Sequence, residues 1–175
     1  MKIVLIRHTS VAVAPGTCYG QTDVETADTF EEEAAVTKSR IDGITFDQVY
    51  TSPLTRASKL AAYCGYPDAI RDDRLMEMNM GEWEMRRYDE IDDPALQAWF
   101  EDFLHLPATG GESFPILYQR VASFLDELRE KPYECVAVFA HGGVLICAGI
   151  YGGLFTADEA FDHQTGYGGM MVIEV

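Results

Sequence analysis

The chain predicts an α/β protein whose sheet is mostly parallel and crossed over by helices, on three observations. Two apolar runs, Ile3-Val4-Leu5-Ile6 and Cys135-Val136-Ala137-Val138-Phe139-Ala140, have the unbroken hydrophobicity of strands buried on both faces. Amphipathic helical stretches lie between them, as parallel pairing requires of its crossover connections. Each run stops at a histidine, in Arg7-His8 and in His141-Gly142-Gly143, so parallel neighbours would bring both imidazoles to one carboxyl edge. That edge is where open α/β sheets hold their ligands.

At 175 residues the chain fits one domain, spanning 1–175, with a core of useful size. Its hydrophobic fraction of 47% and charged fraction of 24% are those of an ordinary globule. There is no run of eighteen apolar residues and no signal-peptide pattern at the start, which makes cytoplasmic residence the default expectation and a membrane partner unexpected. The net charge of -16 argues against nucleic acid as a partner, because a phosphate backbone is held by clustered Lys and Arg. Cys18, Cys64, Cys135 and Cys147 form no CxxC pair, so they are expected to be reduced and mostly buried.

In chain order, the first strand gives way to a polar loop, Ser10 to Asp23, whose Tyr19-Gly20-Gln21-Thr22-Asp23 suits close approach to a ligand. A helix is predicted from Thr29, as N-cap, to Ile41, with Glu31, Glu32 and Glu33 at the end where the dipole favours anions. A strand follows at Phe46–Thr51, and then a helix with Ser52 as N-cap and Pro53 in its first turn. Arg56 would then sit beside unpaired amides, an anion site, although a surface arginine on an amphipathic helix reads equally well.

The stretch from Arg74 to Glu84 has no period and carries Glu77, Glu82 and Glu84 near Gly81 and Trp83, as an acid-bearing loop would. Asp92-Asp93-Pro94 starts a helix running to about Leu104. Glu112-Ser113 opens a longer one in which Leu117, Val121, Phe124, Leu125 and Leu128 recur at helical spacing up to Lys131-Pro132. After the His141-Gly142-Gly143 turn a last helix is expected from Val144 to about Tyr151.

Alone, Arg7-His8 would be an incidental solvated strand end; two histidines, two arginines and nearby carboxylates together read as a phosphate pocket with its own nucleophile. A metal site is the competing reading, but HExxH is absent and two arginines would repel a cation.

In order and spacing, these motifs resemble the histidine phosphatase superfamily, also called phosphoglycerate mutase-like: Leu5-Ile6-Arg7-His8-Thr9, Gly20-Gln21-Thr22-Asp23, Thr51-Ser52-Pro53-Leu54-Thr55-Arg56-Ala57, Glu77 before Gly81, Gly110-Gly111-Glu112-Ser113 and Ala140-His141-Gly142-Gly143-Val144. The resemblance implies a three-layer α/β/α fold and a metal-independent phosphomonoesterase with no cofactor, acting on a small-molecule phosphate monoester. It implies that His8 becomes phosphorylated, that Arg7, Arg56 and a protonated His141 bind the phosphoryl group, and that Glu77 donates the proton, with Glu82 and Glu84 as competing carboxylates. Gln21, Thr22 and Gly142 are counted with the phosphate- and substrate-binding residues.

Gly16-Thr17-Cys18-Tyr19-Gly20-Gln21-Thr22-Asp23 and Met78-Asn79-Met80-Gly81-Glu82-Trp83-Glu84 look like the α-ribazole phosphatases of cobalamin assembly. Broad-specificity small-molecule or phosphohistidine-protein phosphatases, a phosphoglycerate mutase and an inactive phospho-ligand binder are the alternatives. Three departures stand out: Thr9-Ser10 where many members read Gly-Glu, Val24-Glu25 in place of Pro-Leu, and Met85 where Gly is common after Trp-Glu. Residues 84–113 are expected to cap the pocket, with Trp83, Trp99 or a nearby Phe stacking on an aromatic aglycone such as dimethylbenzimidazole.

Overall fold

The computed structural model describes every residue, Met1–Val175. Strands β1 (Lys2–Arg7), β2 (Gln48–Thr51), β3 (Ile70–Arg71), β4 (Cys135–Ala140) and β5 (Met170–Glu174) form one sheet in the order β3-β2-β4-β1-β5. All neighbours are parallel except β5, which runs antiparallel to β1 along one edge. The helices are α1 (Phe30–Ile41), α2 (Thr55–Tyr63), α3 (Pro94–Glu101), α4 (Phe114–Arg129) and α5 (Gly142–Tyr151).

Side chains alternate across a strand, so each central strand feeds two cores. Ile3 and Leu5 of β1, with Val136 and Val138 of β4, pack with Leu117, Val121, Leu125 and Leu145 of α4 and α5. Val4, Ile6, Ala137 and Phe139 point the other way, onto Phe30, Ala34 and Ile41 of α1 and Leu60 of α2. This is the expected three-layer α/β/α arrangement. It explains why β1 and β4 read as unbroken apolar runs: neither face meets water.

Several boundaries differ from expectation. The helix after β2 begins at Thr55, not at Ser52-Pro53, because Ser52 stays extended: its N–H donates to the Phe139 carbonyl (2.8 Å) and prolongs the β2–β4 ladder. A residue before proline is biased to that conformation. β2 starts only at Gln48; just before it, the Asp47 carboxylate accepts from the Glu134 and Cys135 amides (2.7 and 2.9 Å). α3 ends at Glu101 rather than near Leu104, and α5 starts at Gly142 rather than Val144, with His141 at its N-cap. β3, β5 and a 3₁₀ turn at Ala157–His163 were not foreseen; the residues after Tyr151 carry no strong periodicity. The four cysteines are unpaired, and all but Cys135 are buried.

Candidate active site

Three strand ends make the site. β1 and β4 pair in register from Lys2 with Cys135 to Arg7 with Ala140, and the His8 amide extends the ladder by donating to the Ala140 carbonyl (3.1 Å). The His8 and His141 rings lie 5.2 Å apart. Ser52, just past β2, reaches the same point and bonds His141 Nε2 at 2.8 Å.

The hydrogen bonds define the tautomer of His8 and favour one for His141. His8 Nδ1 faces the Thr9 carbonyl at 2.7 Å, and a carbonyl can only accept, so Nδ1 carries the proton and Nε2 keeps its lone pair. The Ser52 hydroxyl accepts from the Leu54 amide (3.2 Å) and is free to donate to His141 Nε2, which leaves the proton of a neutral His141 on Nδ1. Burial, reinforced by Arg56 and Arg7, depresses His8 to a pKa of about 3. Burial, then His8 and Arg56, holds His141 well below the usual imidazole range. A protonated His141 is therefore not what the free pocket holds. Two charged imidazoles beside two guanidiniums would be too costly there.

Arg7 and Arg56 are both drawn in. Arg7 donates from Nη1 to the Thr165 carbonyl (2.6 Å); the fully buried Arg56 donates to the carbonyls of Thr22 (2.9 Å) and Gly20. Burial lowers the Arg56 pKa, with Glu77 foremost among the anions opposing that shift. Both Nε atoms remain buried without a partner, as does His141 Nδ1. A buried polar atom left unpaired costs about 1–3 kcal/mol, and these three belong to residues that gather around His8, as a group awaiting an anion would. Gly142 lies against Arg7: a Cβ there would make van der Waals contact, 3.4 Å from Arg7 Cζ.

Both nearby helix starts have an amide engaged by a carboxylate, Gly143 of α5 by Glu77 and Thr55 of α2 by Asp23. The first amide of α2, Thr55 N–H, is taken by Asp23 Oδ1 (2.8 Å), and the Thr55 hydroxyl by Oδ2 (2.7 Å). Asp23 thus caps the helix that carries Arg56, and removes the anion site expected at its start.

Glu77 enters from the irregular stretch. Its Oε2 accepts from the Gly143 amide (3.0 Å) and its Oε1 from the Met78 amide (2.9 Å). Arg120 of α4 fastens this segment, donating to the carbonyls of Arg74, Met76 and Glu77 (2.8, 2.6 and 2.9 Å) while paired with Glu112. The neighbouring carboxylates are otherwise engaged or outside. Glu84 accepts from the amides of Gly20, Thr22 and Met80 and from the Thr22 hydroxyl, and Glu82 is exposed.

Thr22 therefore does not offer its hydroxyl to a phosphate; that hydroxyl is held by Glu84 at 2.7 Å while its carbonyl holds Arg56. Gln21 makes no side-chain hydrogen bond and is absent from the residues lining the adjoining cavity. That cavity, about 220 Å³, runs from Arg7, Glu77 and Gly142 to a wall that includes Trp99, Phe103 and Phe161. Trp83 is not part of it: fully buried, it donates Nε1–H to Asp93 (2.8 Å) and packs edge-on against Trp99.

Ser52, Asp23, Glu84 and Arg120 were missed as supporting residues. Ser52, Asp23 and Glu84 lie inside quoted motifs; what Glu84 and Arg120 do runs largely through backbone groups, which leave no pattern in a single sequence.

Comparison with known proteins places the chain in a family. The Histidine phosphatase superfamily (branch 1) profile matches residues 3–174. The Adenosylcobalamin/alpha-ribazole phosphatase of Escherichia coli (strain K12) is 31% identical over 159 residues, 83% of this chain and 75% of that protein. Phosphoserine phosphatase 1 of Hydrogenobacter thermophilus is 27% identical over 149 residues, 81% and 71% of the two chains. The crystal structure of the alpha-ribazole phosphatase from Shigella flexneri superposes with a TM-score of 0.90 at 27% identity, covering 100% of this chain and 91% of that one. The chain belongs to the histidine phosphatase superfamily, branch 1, and is a phosphatase.

Proposed function

We propose that this phosphatase hydrolyses α-ribazole 5′-phosphate, or a close relative with an aromatic aglycone, through a phosphohistidine on His8. One observation supports the chemistry above the others: three buried polar atoms without partners belong to Arg7, Arg56 and His141, the residues gathered around an imidazole whose Nε2 is unprotonated. Nε2 attacks phosphorus, the ester P–O bond breaks, and the Glu77 carboxyl gives its proton to the leaving oxygen. Water then attacks the phosphohistidine, Glu77 takes a proton back, the P–N bond breaks, and inorganic phosphate leaves. Charge building on the equatorial oxygens is met by the two guanidiniums and His141 Nδ1–H. A bound phosphoryl dianion would also raise the His141 pKa from its depressed value and favour its cationic form. The site is metal-independent because two fixed cations already do a metal's electrostatic work and would repel one.

The substrate class rests on the wall of the cavity. Trp99 and Phe103 from the 84–113 segment, which we take as the cap, and Phe161 from the 3₁₀ turn, whose ring packs on Phe103 at 4.1 Å between centroids, line the space next to Glu77. Flat apolar side chains suit a benzimidazole-like ring. Phosphoserine or a phosphoglycerate would leave its charged groups against that wall unpaired.

Brief exposure to phosphorylated substrate and an alkaline quench should leave an acid-labile label on His8; an unlabelled wild-type protein would remove the enzyme mechanism. Across a panel of monoesters, kcat/KM should be highest for α-ribazole 5′-phosphate, and Trp99→Ala should narrow its lead over a simple alkyl phosphate by about tenfold, as loss of one aromatic contact predicts. A lead that Trp99→Ala leaves intact removes the stacking.

A further inference from the structure

The reaction just described uses neither Tyr19 nor Tyr167, yet these two side chains flank both guanidiniums. Each arginine is gripped by one loop. Arg7 is bonded to the Thr165 carbonyl, and its Cζ lies 4.2 Å from the Tyr167 ring centroid. Arg56 is bonded to the carbonyls of Thr22 and Gly20, and its Cζ lies 5.2 Å from the Tyr19 ring centroid. The two loops come from opposite ends of the chain and are anchored separately. In the first, the Cys18 amide donates to the Arg86 carbonyl (2.8 Å), and Glu84 holds Gly20 and Thr22. In the second, the Gly168 amide donates to the His8 carbonyl (2.9 Å), and the Gly168 carbonyl accepts from Thr37 and Arg40 of α1, each at 2.9 Å.

Between residues 10–23 and 164–169 there is one hydrogen bond, from phenol to phenol, with Tyr19 Oη and Tyr167 Oη 2.8 Å apart. The Tyr167 ring also lies over the nucleophile, 5.6 Å from the His8 ring.

We propose that Tyr19 and Tyr167 form a bridge across the phosphoryl pocket that sets the spacing of Arg7 and Arg56, so that both cations meet one phosphoryl group. They are positioning residues, acting through the guanidiniums. The inference rests on the phosphatase reading of the pocket. Two guanidiniums sharing a buried recess repel each other, and each is offered an electron-rich ring face in partial compensation. Tying the two ring-and-carbonyl grips together fixes that arrangement before substrate arrives, so less ordering is left for the binding step. Burial and the neighbouring phenol hold the Tyr19 hydroxyl above its ordinary range, so it keeps its proton at physiological pH.

A double-mutant cycle tests this on the full chain with inorganic phosphate as the probe, because phosphate needs the guanidiniums and no leaving group. Tyr19→Phe and Tyr167→Phe each remove one oxygen and keep the ring. Each should weaken phosphate binding about three- to tenfold, the effect of one lost hydrogen bond, and lower kcat/KM on an aryl phosphate by a similar factor. The double variant should be no weaker than the worse single one, because both remove the same bond. Tyr19→Leu, which also takes the ring from Arg56, should lose more than Tyr19→Phe at a similar thermal midpoint. Single effects that multiply in the double variant, or unchanged phosphate affinity in both, would overturn the bridge. If wild-type protein bound no phosphate and formed no phosphohistidine, the phosphatase reading would fall instead. Wild-type binding and labelling with unaffected variants removes the bridge alone.

Discussion

Met85 is the one non-glycine residue at positive φ, +62°. Its amide donates to the Cys18 carbonyl (2.7 Å) and ties the end of the Trp83 turn to the loop that carries Tyr19. A side chain in the left-handed region costs about 1–2 kcal/mol, less what glycine loses in chain entropy. This is why glycine is common there among relatives, a preference visible in the motif but without a reason until the backbone is seen. Met85→Gly should raise unfolding stability by about 1 kcal/mol in urea titration, with kcat/KM unchanged. A loss of stability would mean that the half-exposed Met85 side chain contributes packing that outweighs the strain. Thr9, the other departure beside the nucleophile, is buried with its hydroxyl unpaired, and nothing in the structure explains that choice.

At the level of elements, the start of α5 does two jobs within one turn. Gly142 packs against Arg7, and Gly143 offers its amide to Glu77. A Cβ at Gly143 would lie 2.3 Å from Glu77 Oε1 and 3.0 Å from Leu117 Cδ2, so the carboxyl must move while the helix itself tolerates alanine well. Gly143→Ala should therefore lower kcat about a hundredfold for alkyl phosphates, the low end of general-acid catalysis, and much less for an aryl phosphate whose leaving group needs little protonation. Its thermal midpoint should barely change. Equal slowing of both substrates would place the effect on phosphate binding and away from proton transfer.

Across the whole molecule, folding forces two imidazoles to stay neutral beside two guanidiniums. The His8 pKa falls from its ordinary 6.5 to about 3, and His141 is lowered as well. Between those values the unfolded chain binds protons that the folded chain refuses, so stability is fully present above about pH 6.5 and is lost as pH falls toward 3. The net charge of -16 works in the opposite direction, since acid relieves self-repulsion. A single variant separates the two. The urea midpoint of His8→Asn should fall less steeply between pH 6.5 and 4 than that of wild type, because one refused proton has gone. Parallel slopes would show that His8 already carries a proton in the fold. No helix is long and apolar enough to cross a membrane.

While the three layers came with the family resemblance, hydrophobic period and residue order by themselves determined the mostly parallel sheet crossed over by helices, the parallel pairing of the first and last central strands, and the meeting of His8 with His141. Those features follow from burial on both faces of two strands, which writes itself into consecutive residues. Arg7, Arg56, Glu77 and Gly142 could be named because their motifs survive as short contiguous strings. Only the tertiary structure decided what each group is free to do. It committed Thr22 to Glu84, gave the start of α2 to Asp23, left His141 uncharged and buried Trp83 away from the cavity. It also joined Tyr19 to Tyr167, 148 positions apart in the chain. Hydrogen-bond partners and desolvation depend on what folds alongside a residue, and no spacing along one chain records that.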